Sequence, residues 1–545
     1  MPIGILTLAG LTCYPFAANM RKLFISKRAT SLIVFFAVIV TTIVLFSLRI
    51  IDLRSKEEKQ VDRGRELSHI YCKSCHQYPA PSLIDKHTWT YGVLPGMAKQ
   101  LKLENFFGKY GVTPFSVIAP GDFEDIVAFY KKEAPEKLVS PKSAAVTDWA
   151  IFSLEKPKNV SHAEGDDANT TLLAYNPKDK KLYSGDLRNN IYRWNEKLEP
   201  TLVAKMPTPA VGANFYTTDT HKNRALITCI GILNPNDLLK GSIIDIGLDR
   251  NETKPLVIAD SLPRPVKTIS ADFNKDGLLD YVTCGFGRNI GGLYLFTQQQ
   301  NHTYKREVIR AAPGSEQIFT GDFNNDGYTD LICLFAQADE GIWMFLNDKK
   351  GGFITKDILH FPPIYGSSSF QLVDFNHDGK PDILYTCGDN SDLSPVFKPY
   401  HGVYIFTNQG NWQFKQTYFY HIDGPMKAIA ADFDHDGDMD IATIAYFPDF
   451  KDNPQEGFVY LEQIAPNKFK AHDVPVNNEG RWLTMEVADL DNDGYADVIL
   501  GNFSVPGLEL MHKKGVEEKW DRFTPLIVLK NNAGRFHNKR ALISK

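Results

Sequence analysis

The clearest pattern along the chain is a recurring pair of short apolar runs in its second half. Tyr281-Val-Thr-Cys, Leu331-Ile-Cys-Leu, Ile383-Leu-Tyr-Thr, Ile441-Ala-Thr-Ile and Val498-Ile-Leu are rich in β-branched and aromatic residues and too short for helices, which suits buried strands. A second run follows each of the first four: Gly292-Leu-Tyr-Leu-Phe, Gly341-Ile-Trp-Met-Phe-Leu, Gly402-Val-Tyr-Ile-Phe and Gly457-Phe-Val-Tyr-Leu. Gly/Asn turns such as Asn347–Phe353 and Asn408–Phe414 come next. The unit returns after 50, 52, 58 and 57 residues, the length of one four-stranded blade. Upstream, Leu226-Ile-Thr-Cys-Ile echoes Tyr281-Val-Thr-Cys-Gly, with Asp219 standing 53 residues before Asp272. One more strand-rich unit runs from Thr171-Leu-Leu-Ala-Tyr to Ile191-Tyr-Arg-Trp194. The expectation is a mainly β chain whose seven blades close into a propeller and so protect their strand edges.

Between the paired runs lies an acidic loop of fixed spacing. Oxygen-bearing side chains occupy loop positions 1, 3, 5 and 9 as Asp272, Asn274, Asp276 and Asp280; Asp322, Asn324, Asp326 and Asp330; Asp374, Asn376, Asp378 and Asp382; Asp432, Asp434, Asp436 and Asp440; and Asp489, Asp491, Asp493 and Asp497. Glycine holds position 6 throughout, at Gly277, Gly327, Gly379, Gly437 and Gly494. Hard Ca²⁺ takes about 6–8 oxygens, and such a comb with the position 7 carbonyl supplies most of them. An EF-hand would need Glu at position 12, where the chain has Thr283, Cys333, Tyr385, Thr443 and Leu500. Ordinary Asp/Asn/Gly turns need no carboxylate at position 9, so the register in all five copies favours a cation site. The loops and their spacing resemble the FG-GAP/VCBS repeat family over roughly 165–540, and that resemblance implies structural calcium within propeller blades. The 432–440 loop, with Asp438 besides, is expected to bind tightest.

Tyr71-Cys72-Lys-Ser-Cys75-His76 carries a different chemistry. Cys-x-x-Cys-His is the attachment signature of a covalent haem c, with two thiols for the vinyl groups and a histidine for iron. A thioredoxin-like pair would want a βαβ surround, and a zinc site a second Cys/His pair, and the sequence has neither nearby. A helical stretch, Asp62–Tyr71, leads into the motif, and an amphipathic one, Asp122–Lys132, closes the segment. The segment 62–136 resembles a small all-α bacterial cytochrome c, which implies His76 as the proximal ligand. Met97, in Pro-Gly-Met, is the expected sixth ligand by elimination, with His87 or water as the alternatives.

Ser31–Leu48 is uncharged, about long enough to span a bilayer, and preceded by Arg21, Lys22, Lys27 and Arg28. It reads as a retained signal-anchor, with Met20 an alternative start. Residues 1–52 then form tail and anchor, 53–61 a linker, 62–136 the haem segment and 151–545 the propeller, on the extracytoplasmic side of a bacterial envelope. Cys229, Cys284, Cys333 and Cys387 recur at like strand positions and read as buried small hydrophobes. A net charge of -5 and pI near 6.3 give no nucleic-acid footprint.

The expected function is electron transfer through the haem to a redox partner protein, coupled to a glycan or protein ligand on the propeller. Two alternatives stand beside it: a propeller dehydrogenase or carbohydrate-active enzyme feeding electrons to the haem, and an adhesion scaffold. Arg288, His401 and Arg481 are the candidates for a ligand face, because the loops around them converge on one end of the blades.

Overall fold

The computed structural model describes residues 27–47, 54–106, 108–142, 145–217, 223–248, 255–390, 394, 396–505 and 519–534. Asp219, Met20, Arg21, Lys22 and Leu48 lie outside the described residues. The chain forms two compact units, Met1–Gln60 and Val61–Lys545.

In the first unit, helix α1 spans Lys27–Ser47. Side chains along it are described at Ser31, Leu32 and 34–44, and among the described residues no helix is long and apolar enough to cross a membrane. Helix α2, Lys56–Tyr71, begins earlier than its apolar pattern suggests, inside the expected linker. A reciprocal cap explains this: Glu58 N–H donates to Ser55 Oγ at 3.1 Å, and Ser55 N–H to Glu58 Oε2 at 2.7 Å.

The second unit begins within α2, at Val61, and continues with α3 (Lys86–Thr88), a single π turn (Trp89–Val93), α4 (Leu94–Gln100) and α5 (Pro120–Glu133). The segment is not all-α as expected, because Leu103–Phe106 and Lys109–Val112 form a hairpin between α4 and α5. Its turn is fixed by Asn105 Oδ1, which accepts the Gly108 N–H at 2.9 Å, with Gly108 at φ +85. Helices α2 and α5 cross at Gly64, where an added Cβ would stand 1.9 Å from the Asp125 carbonyl oxygen.

Seven sheets follow among the described residues: five are four-stranded meanders, one is a four-stranded meander with Val146–Thr147 added in parallel, and the last is a three-stranded meander completed by Phe152–Glu155. Their first strands are Thr170–Asn176, Ala210–Thr217, Pro265–Ala271, Ser315–Gly321, Ser367–Val373, Pro425–Ala431 and Trp482–Ala488. Each packs on the first strand of the next sheet, and Trp482–Ala488 packs on Thr170–Asn176, so the ring closes as a seven-bladed propeller. The seventh blade joins both ends of the ring: Asp497–Asn502 pairs with Leu526–Asn531, which pairs in turn with Phe152–Glu155 from before the first blade. Apolar clusters fill the spaces between blades, and Cys229, Cys284, Cys333 and Cys387 are buried there as free thiols.

Candidate functional site

The five acidic loops share one geometry. Position 4 is left-handed (φ 60, 58, 56, 61 and 61 at Lys275, Asn325, His377, His435 and Asn492), and the position 6 glycines lie between φ +79 and +97. That backbone turns the position 5 and 6 amides inward: Gly277, Gly327, Gly379, Gly437 and Gly494 each donate N–H to the position 1 carboxylate at 2.7–3.2 Å. Carboxylate oxygens of Asp432, Asp434 and Asp436 lie within 4.8 Å of one another, as do those of Asp489, Asp491 and Asp493. Position 9 behaves differently from the others. Asp280, Asp330, Asp382, Asp440 and Asp497 are all buried, and each accepts a backbone N–H from the blade's third strand, from Gln298, Asn347, Asn408, Gln463 and Asn531, at 2.7–2.9 Å. In four loops the other oxygen accepts the position 2 N–H, while Asp440 takes the Tyr460 hydroxyl at 2.6 Å. Position 9 therefore ties the loop to the sheet. Burial lifts Asp440 to about 7 and Asp497 to about 6.

The Cys-x-x-Cys-His turn follows α2 directly, with Cys72 N–H donating to the Ser68 carbonyl at 2.9 Å. Cys72 and Met97 both pack against the core of the 62–136 segment around Trp89, Phe123 and Tyr130, and burial pushes the Cys72 thiol up to about 11. His76 Nδ1 lies 2.8 Å from the Gln77 carbonyl. A carbonyl only accepts, so Nδ1 carries a hydrogen, which leaves Nε2 as the nitrogen of the neutral ring that could ligate a metal. Met97 sits within helix α4, not in a turn as the Pro-Gly-Met sequence suggests. The His87 ring lies tilted against Tyr91 at 4.9 Å, and His69 stacks on Tyr78 at 4.0 Å.

This segment rests on the propeller end opposite the acidic loops. The Tyr400 hydroxyl donates to the Leu83 carbonyl at 3.1 Å, Ile364 and Val396 pack on the haem-segment core, and Ser140 Oγ reaches Asp423 at 3.5 Å. Of the ligand-face candidates, only Arg288 is exposed. Arg481 is buried, its guanidinium 3.8 Å over the Tyr446 ring and its Nε donating to the Tyr446 carbonyl at 3.1 Å. His401 is buried too, and its ring nitrogens reach no partner with hydrogen-bond geometry, although the Tyr365 backbone lies near enough to favour the charged ring slightly. Burial dominates and holds His401 well below the ordinary histidine range.

The sequence reading missed the buried acids beside it. His421 Nδ1 meets the His401 carbonyl at 2.9 Å, its Nε2 faces Asp423 at 3.5 Å, and Asp423 N–H donates to Glu456 at 3.0 Å. Burial raises Asp423 to about 7, Glu456 to about 8 and Asp473 to about 6. A Glu340 carboxylate, at about 7, accepts the Ser367 hydroxyl at 2.6 Å, and Tyr385 shares that hydroxyl at 2.7 Å. These acids are scattered along the chain, and the single signal was Asp423-Gly-Pro at a strand entrance.

The FG-GAP-like repeat family matches residues 272–333, 322–385 and 396–443, which include four of the five acidic loops. Those residues are FG-GAP-like repeats within the propeller. The chain is 25% identical to Cartilage acidic protein 1 of Xenopus tropicalis over 235 residues, 39% of this chain and 33% of that protein. It is 30% identical to Integrin alpha-PS5 of Drosophila melanogaster over 96 residues, 15% of this chain and 10% of that one. It thus spans a third or less of the length of these relatives. Among solved structures it is similar to the WD40 beta propeller domain of Doa1 (TM-score 0.39, 11% identity, 69% of this chain and 96% of that one). The beta-propeller domain of Cps50 (Swd1) from Myceliophteria thermophila gives a TM-score of 0.38 at 11% identity, over 63% of this chain and 98% of that one.

Proposed function

We propose that this protein is an exported, membrane-anchored c-type cytochrome whose calcium-stiffened propeller couples one-electron transfer to the binding of a partner or ligand. The observation that carries the reading is the turn Cys72-Lys-Ser-Cys75-His76 at the end of a helix that crosses a second helix through Gly64. Cys72 and Cys75 would hold a haem covalently, and His76 Nε2 and the Met97 thioether would face its iron. Such a group supplies reversible one-electron exchange at a potential set by its axial ligands. The Gln77 carbonyl fixes the His76 tautomer, as a hydrogen bond on the far nitrogen does for many metal-bound histidines. The acidic loops fit Ca²⁺ through converging oxygens on a turn already shaped by glycine, and their ions would be structural because each loop supplies its own ligands. The anchor reading rests on the sequence of residues 31–48.

Expression with a complete haem-attachment system tests the reading. Pigment should stay with the denatured polypeptide after acid-acetone extraction and give a reduced c-type spectrum, and a colourless folded protein would overturn the assignment. Met97→Ala should abolish the sulfur-to-iron band and lower the potential; an unchanged spectrum would pass the role to His87 or to water. The protein should stay with membranes through a carbonate wash, and a soluble product starting after Leu48 would identify a cleaved signal.

A second reading, substrate oxidation at the propeller, is favoured by one observation. His401, with its unpartnered imidazole, follows directly the Tyr400 that touches the haem segment. Anaerobic reduction of the haem band by a sugar or alcohol, lost in His401→Gln, would select that reading over transfer between proteins.

A further inference from the structure

The fifth acidic loop differs from the other four in what faces it. The residue before each third-strand amide that binds position 9 is Thr297, Leu346, Thr407, Glu462 or Lys530, taken in chain order. Three of these are neutral, the fourth is acidic and the fifth is a cation at the same register. The Lys530 ammonium contacts Asp491 Oδ1 and lies 3.3 Å from Asp497 Oδ2 and 3.7 Å from Asp493 Oδ2, with its side chain 13% exposed. It thus reaches the carboxylates of positions 3, 5 and 9 together. A second lysine crowds the same loop, since Lys180 Nζ donates to Asn492 Oδ1 at 2.5 Å.

Lysines near other loops do less. Lys349 pairs with Asp326 at 3.3 Å and Lys380 with Asp378 at 2.8 Å, one carboxylate each among the described ion pairs. At the 432–440 loop His377 stands 3.8 Å from Asp438. The fifth loop also lies outside the residues matched by the FG-GAP-like repeat family.

We infer that Lys530 is the built-in counter-ion of the fifth loop, which takes no calcium, so that the propeller binds calcium at its first four loops only. This rests on the calcium reading above. A divalent ion seated among Asp489, Asp491 and Asp493 would have to expel the ammonium, because two cations at contact distance repel and the lysine already has three carboxylate partners. The position in the fold gives the device a purpose. The fifth loop belongs to the seventh blade, the one that closes the ring with Phe152–Glu155, and an internal cation keeps that closure independent of the calcium supply. Lys530 thereby does for this blade what a bound ion does for its neighbours.

Counting bound ions tests the inference. The full-length protein, equilibrated with calcium and desalted, should carry four ions per chain by elemental analysis, and folded Lys530→Met should carry five. Five ions in the parent, or four in folded Lys530→Met, would overturn it while leaving the calcium reading intact. No bound ion in either protein would overturn both. The count in the parent protein leaves Lys530 in place, so the inference is tested even where Lys530→Met fails to fold.

Discussion

A single missing side chain sets how the helices of the 62–136 segment pack. At Gly64 an added Cβ would fall 1.9 Å from the Asp125 carbonyl oxygen and 2.9 Å from Phe129 Cβ, and two helix backbones cannot yield that much cheaply. Gly64→Ala should therefore cost at least the roughly 1–3 kcal/mol typical of overpacking, read as a lower urea midpoint; an unchanged midpoint would show that the helices do not cross there. The position 9 aspartates are a second case. Asp330→Ala strips the Phe323 and Asn347 amides of their acceptor in a buried place, at about 1–3 kcal/mol for each lost partner. Its loss of stability should appear with or without calcium, whereas Asp326→Ala, at a more exposed carboxylate, should be costly chiefly when calcium is present. Melting both variants in calcium and in chelator separates the roles, and equal calcium dependence would erase the distinction.

At the scale of elements, the propeller loops under the 62–136 segment hold carboxylates away from water. Burial, with repulsion from Asp423 and Asp473 behind it, lifts Glu456 to about 8, and burial lifts Asp423 to about 7. The sign follows from proton binding. The folded state keeps protons that the unfolded chain releases above about pH 4, so this stability is full below that value and is lost as pH rises through 7 to 8. The melting temperature should fall between pH 5 and 8.5, and Glu456→Gln, which stays neutral, should flatten the fall. A decline as steep in the variant would remove Glu456 from the account.

For the molecule as a whole, hydrogen-bonded ring closure between Leu526–Asn531 and Phe152–Glu155 holds the seven blades together, and on the proposed reading calcium shares that task. Ligands that bind only the native state stabilise it by about 2.7 kcal/mol per site at a hundredfold excess over Kd. Chelation should thus lower the propeller's melting temperature by roughly 10 °C or more, with the haem spectrum and midpoint potential nearly unchanged. Protein that melts alike in calcium and in chelator would show that the loops hold themselves. Among single changes, Asp436→Ala should lower the melting point in calcium more than Asn274→Ala, because the first removes a charge from the most acidic loop and the second a neutral amide.

Local order was legible in the sequence. Apolar runs bounded by Gly/Asn turns mark the blades, because strand alternation and turn chemistry depend on residues only a few positions apart. The same holds for the acidic loops, whose backbone is set by left-handed residues at position 4 and glycine at position 6. What the sequence could not settle was burial. His401 and Arg481 read as surface candidates, yet the fold encloses both, Arg481 against the Tyr446 ring and His401 beside His421. Lys530 is an ordinary strand lysine until the third strand brings it over carboxylates 33 to 39 residues away in the chain. Charge pairing, desolvation and helix contact are set by neighbours in space, and only the closed ring of blades determines which residues become neighbours.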